Sequence, residues 1–204
     1  MGAIREEELS HEETSLPGAA LAASALPVGL PAAAAVTRSA GPALLTITGA
    51  ITRPNRGALD PALDQMMAKH KLAFTSAHAL DFASLLRLPA HSIHPTLEYD
   101  GKAHALRGPL LLDVLALAGA TMKSTTRLTL RAVDGYAAAI GAEEAHAWRF
   151  IVATHLDGQP MALGGLGPLW AVFDAGHVPE TASLPLAQRF GSCPWALYHI
   201  DVQN

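Results

Sequence analysis

One cysteine in 204 residues is the first constraint on this chain. Cys193 alone closes no internal disulfide and builds no cysteine-based zinc site. Charge is scarce too, at 16% of residues, and the formal net charge is only -4. No basic cluster exceeds Lys69-His70-Lys71. Such a chain neutralises few phosphates, so nucleic acid is not an expected partner. Several catalytic signatures are missing. There is no Gly-x-Ser-x-Gly elbow, no His-Glu-x-x-His helix and no Gly-x-x-x-x-Gly-Lys-Ser/Thr loop. These absences remove the usual pointers to an α/β-hydrolase, a zinc protease or a P-loop enzyme. Internal repeats are absent as well. What is abundant is apolar: half of the residues, enough for a sizeable core and too many for a disordered body.

The chain also lacks a clean membrane-spanning run. Residues 16–36, LPGAALAASALPVGLPAAAAV, are apolar, but Pro17, Pro27, Pro31, Gly18 and Gly29 interrupt them. Their composition matches a signal-peptide core, with Ala-x-Ala cleavage sites within 32–35. The preceding residues, MGAIREEELSHEETS, are acidic, whereas a signal peptide begins basic. One explanation for the difference is a start codon placed upstream of the true one. The expectation is a leader over 1–35, either a signal peptide or a disordered Ala/Pro segment, and one domain over 36–204. The expected localisation is periplasmic or otherwise exported. Residues 36–204 hold 13 basic and 13 acidic side chains, a neutral mature domain.

From residue 44 the pattern predicts an α+β domain made mostly of strands with helical connections. Strands are expected over 44–50, 92–97, 102–106, 127–133, 136–140, 150–154, 169–173 and 197–202. The clearest is RLTLRAV at 127–133, which alternates strictly. Helices are expected over 60–71, 81–88 and 108–118, with a helical turn at 143–148. The first has Asp60 as its N-cap and Pro61 in its first position.

Two motifs stand out in this frame. Residues 99–120 read YDGKAHALRGPLLLDVLALAGA, and residues 157–173 read DGQPMALGGLGPLWAVF. Their order and spacing resemble the sulfite-oxidase-type molybdopterin-binding family, across nearly all of 44–202. That family carries a cysteine that ligates molybdenum through soft sulfur. Counted back without gaps from Gly108, the ligand position falls on Thr96, whose hard, protonated hydroxyl is no substitute. Relatives often carry Arg and Lys where this chain has Gly164 and Leu166. The resemblance therefore implies a cofactor fold without its metal ligand, similar to a small exported subgroup that binds reduced pterins. Some members of that subgroup report to membrane enzymes of cyclic-di-GMP turnover, so the periplasmic part of such a protein is the implied partner. The alternative is a molybdopterin-dependent oxidoreductase with a replaced ligand.

A pterin offers an aminopyrimidinone edge and two flat faces. It calls for a carboxylate or amide and for aromatic surfaces. Glu98 and Asp134 are candidates for the first; Tyr99, Tyr136, Trp170 and Phe173 for the second. His94 and Thr96 border the implied cleft. Gly164, Gly165 and Gly167 form a loop whose N–H groups are candidate donors. The expected ligand lies between the 96–99 strand and this glycine loop. No metal site is expected. Ten histidines occur, but His91 and His94 three apart on a strand point to opposite faces. Cys193 reads as a small loop or core residue.

Overall fold

Residues 41–204 are described in the computed structural model. The leader expected over 1–35 and the boundary at 36 lie outside them. Alternation sets the main sheet. In β1 (Ala43–Gly49) Leu45 and Ile47 face the core and Thr46 and Thr48 face away. In β5 (Arg127–Ala132) Leu128 and Leu130 face the same core. With β2 (His78–Asp81), β6 (Ala137–Gly141) and β11 (Leu197–Gln203) they form a five-stranded sheet in the order β2-β1-β11-β5-β6. The β1–β11 pair is parallel and the others are antiparallel.

The second layer is strand-rich and shorter. A four-stranded sheet runs β3 (Ala90–Ile93), β4 (Leu106–Pro109), β8 (His155–Leu156), β9 (Gln159–Pro160). A two-stranded sheet pairs β7 (Ile151–Ala153) with β10 (Trp170–Val172). Among the described residues, five short α-helices connect the strands: α1 (Gln65–Lys69), α2 (Phe82–Leu86), α3 (Leu111–Leu117), α4 (Ala142–Ala147) and α5 (Pro179–Ala182). One apolar cluster joins Leu45, Ile47, Leu128, Leu130 and Ile200 of the large sheet to Leu111, Val114 and Leu115 of α3 and to β7 and β10. The architecture is thus α+β with mixed sheets. Among the described residues, no helix is long and apolar enough to cross a membrane.

The strands expected over 92–97 and 102–106 run instead as β3 and β4, leaving only an isolated bridge between Thr96 and Ala103. Two helices change as well, each for a local reason. The helix expected from 108 starts at Leu111, because Gly108 and Pro109 finish β4. A Cβ on Gly108 would lie 1.9 Å from the Val152 carbonyl oxygen, so the strand passes against β7 where only glycine fits. The helix expected over 60–71 shrinks to α1. Asp60 does accept from the N–H groups of Ala62 and Leu63, but that closes a turn, and the helix begins at Gln65. Asp81, by contrast, caps α2 by accepting from Ser84 N–H at 2.7 Å.

Candidate functional site

Three chain segments far apart in sequence meet at one cleft of about 320 Å³. The first is the hairpin turn after β3, closed by the Thr96–Ala103 bridge, which carries Glu98 and Tyr99. The second is the β5–β6 turn. Gly135 sits there at φ +94, and Asp134 accepts from Tyr136 N–H at 2.8 Å. The third is the loop leading into β11, which supplies Phe190, Gly191, Cys193, Pro194 and Trp195. The Tyr136 hydroxyl donates to the Gly191 carbonyl and ties the second wall to the third.

The hairpin that presents Glu98 is itself pinned. His104 hydrogen-bonds Asp100 through Nε2 at 3.0 Å and Asp157 through Nδ1 at 2.7 Å. Two acceptors on one ring need both nitrogens protonated, so the imidazolium is the bound form. The hydrogen bonds to Asp157 and then Asp100 raise the His104 pKa above its ordinary value. A backbone hydrogen bond from Lys102 and then the His104 contact lower that of Asp100. The hydrogen bond from His104 lowers that of Asp157.

The cleft is acidic and aromatic. Glu98 and Asp134 are its carboxylates, and Tyr99, Tyr136, Phe190 and Trp195 its rings. Among the described residues lining it, none is Lys, Arg or His. Tyr99 is half exposed, and its phenol is pushed up to about 12, first by burial and then by the charge of Glu98. Cys193 is 3% exposed. Burial pushes its thiol up to about 12, against opposing hydrogen bonds from the Phe173 backbone and Ser192. The sulfur is therefore a protonated, buried thiol in the unliganded protein.

Of the residues expected to bind, Glu98, Tyr99, Asp134 and Tyr136 line this cleft. The others do not. Thr96 is exposed on the outside of its bridge, and His94 is exposed with its N–H directed to Asp174 Oδ2 at 3.4 Å. Trp170 and Phe173 are completely buried and offer no face to a ligand. Trp170 lies in the layer beneath: its Nε1–H donates to the Cys193 carbonyl at 2.9 Å and its ring packs on Phe190. Phe173 packs on Phe150 and Trp148. The glycine loop forms no wall of the cleft. Gly165 spends its N–H on Ala162 O within the turn, and Gly164 supplies a φ of +96. Gly167 is pressed against Met161, where a Cβ would approach to 2.4 Å. These glycines serve a tight turn.

The third wall is what sequence reasoning missed. Its signal was present in Gly191-Ser192-Cys193-Pro194-Trp195, an aromatic residue among turn formers just before a strand. The residues do not fit a molybdenum cofactor. Thr96 lacks a thiolate and stands outside the cleft, Cys193 is only 3% exposed, and no cation among the described residues lines the cleft to meet an anionic phosphate. No family model matches the chain, and no curated protein matches it in sequence.

Proposed function

We propose that this chain is a non-catalytic binding module whose cleft takes a flat nitrogen heterocycle of the reduced-pterin class, on a sulfite-oxidase-type fold. The observation that carries the reading is the pairing of two carboxylates with four aromatic side chains around one cleft whose described lining residues include no cation. An aminopyrimidinone edge presents neighbouring N–H donors, which a carboxylate accepts, while the rings cover its faces. The volume lies at the small end of ligand pockets, roughly 300–1,000 Å³, as suits a single bicycle. The strand-rich α+β architecture and the two motifs support the fold assignment. The absence of a thiolate favours binding over redox catalysis.

Glu98 is the better anchor of the two acids. Asp134 is exposed and already engages Tyr136 N–H. Glu98 is half-buried, beside Tyr99 and Cys193, where a hydrogen bond meets less competition from water. Anaerobic calorimetry with a tetrahydropterin tests the proposal. Wild-type protein should bind. Glu98→Ala removes a charge-assisted hydrogen bond of about 1.5–3 kcal/mol, roughly ten- to a hundred-fold in affinity. Lys123→Ala, in the turn after α3, should bind as wild type does. No heat and no competition at millimolar pterin would refute the proposal. Unchanged binding by Glu98→Ala would refute the anchor.

A further inference from the structure

We propose a second binding site, for a small tetrahedral oxyanion of the phosphate type, in the concavity between β3, the end of α4 and the loop after β10. This concavity measures about 230 Å³, and its lining differs from that of the cleft at every position. His91 and Ser92 contribute from β3, Arg149 from the residues after α4, and His177 from the loop after β10. Donor-bearing side chains thus line the concavity from three separate chain segments, enough to serve the several acceptor oxygens of a tetrahedral anion.

The charges support an anion. Arg149 is exposed, and its guanidinium makes no hydrogen bond or ion pair among the described residues. It stands at φ +51, a left-handed conformation uncommon for a residue with a side chain. The one acid among the described lining residues, Asp174, is already engaged. Its Oδ1 accepts from His177 Nδ1 at 2.9 Å, and its Oδ2 faces the His94 N–H. That hydrogen bond, and then the charge behind it, raise the His177 pKa and favour the imidazolium. With His177 protonated, Asp174 and His177 together are neutral and Arg149 adds a positive charge; with His177 neutral, the guanidinium still stands apart from the one contact Asp174 makes with it. The half-buried indole of Trp148 forms part of the wall and packs on Phe150 and Phe173, which anchors the position of Arg149 to the core.

The test is an NMR titration of the full chain with inorganic phosphate, followed at the His and Trp side chains at matched ionic strength. The His91 and His177 imidazoles and the Trp148 indole should shift saturably, and sulfate should compete. Acetate should bind more weakly. Arg149→Gln should weaken phosphate binding roughly tenfold or more, and Lys123→Gln, with the same change in net charge, should not. A parallel arm with glycerol phosphate distinguishes sources. Tighter binding of the ester assigns a phosphorylated small molecule, and equal binding assigns the free anion. Equal responses to phosphate, acetate and chloride would overturn the site as mere screening. Undiminished binding by Arg149→Gln would overturn it as well.

Discussion

Acid should destabilise this domain through one buried histidine. His199 on β11 is 2% exposed. Burial, reinforced by Arg131 and opposed by Asp201, lowers its pKa from 6.5 to about 4. Its tautomer follows from its neighbour. Thr48 Oγ1 donates to Asp201 Oδ1 at 2.9 Å, so at 3.0 Å it accepts from His199 Nε2–H. Nδ1 is then a bare acceptor. The folded state resists protonation while the unfolded state accepts it, so the unfolded chain binds more protons between the two pKa values. The contribution is present above about pH 6.5 and is lost as pH falls toward 4. At 1.36 kcal/mol per unit, the loss between pH 7 and about pH 4.5 is roughly 2.5 kcal/mol. His199→Gln keeps an N–H for Thr48 but cannot titrate. Urea unfolding across this range should give a wild-type profile steeper than the variant's by about that amount. The carboxylates, which titrate alike in both proteins, cancel in the difference. Parallel profiles would refute the reasoning, as would a His199 ring titrating near 6.5 by NMR.

Two further outcomes are expected. Gly108→Ala should cost about 3 kcal/mol or more, because its methyl would meet the Val152 carbonyl, while Gly57→Ala, with open space around it, should stay within about 0.5 kcal/mol; thermal unfolding compares them. His104 should titrate above its ordinary value by NMR, and its support of the Glu98 hairpin should be lost as pH rises through that raised pKa. The partner carboxylates, Asp100 and Asp157, have lowered pKa values, so their share is lost as pH falls through those values.

The sequence was most legible where the pattern was local. RLTLRA alternates, and β5 buries Leu128, Leu130 and Ala132 while its other face stays wetter. The Asp134-Gly135 turn was readable too, because its side-chain hydrogen bond spans two residues. The helix start at Gly108 was misread because a glycine–proline pair also suits a helix entrance. The deciding fact, the Val152 carbonyl at its back, lies more than forty residues away. The same limit explains Trp170 and Phe173. In the run Trp170–Val172 every residue is buried, as in a strand covered on both faces, so an aromatic there is core and no ligand surface.

The cleft shows how far a motif carries a site. Glu98 and Asp134 lie close in space only because the hairpin after β3 and the β5–β6 turn reach the same place, and each motif predicts its own turn without the meeting. The third wall has no periodicity to announce it. It is fixed by single contacts: Tyr136 O–H to Gly191 O, Trp170 Nε1–H to Cys193 O, and Ala196 N–H to Leu166 O. The last of these gives the glycine loop its role. It does not touch the cleft but holds the chain next to Trp195, from behind. Gly164 and Leu166 bring no charge to that support. A cleft lined by Glu98 and Asp134 repels phosphate. Such an anion would have to be held elsewhere, where Arg149 stands unpaired and Asp174 is already taken.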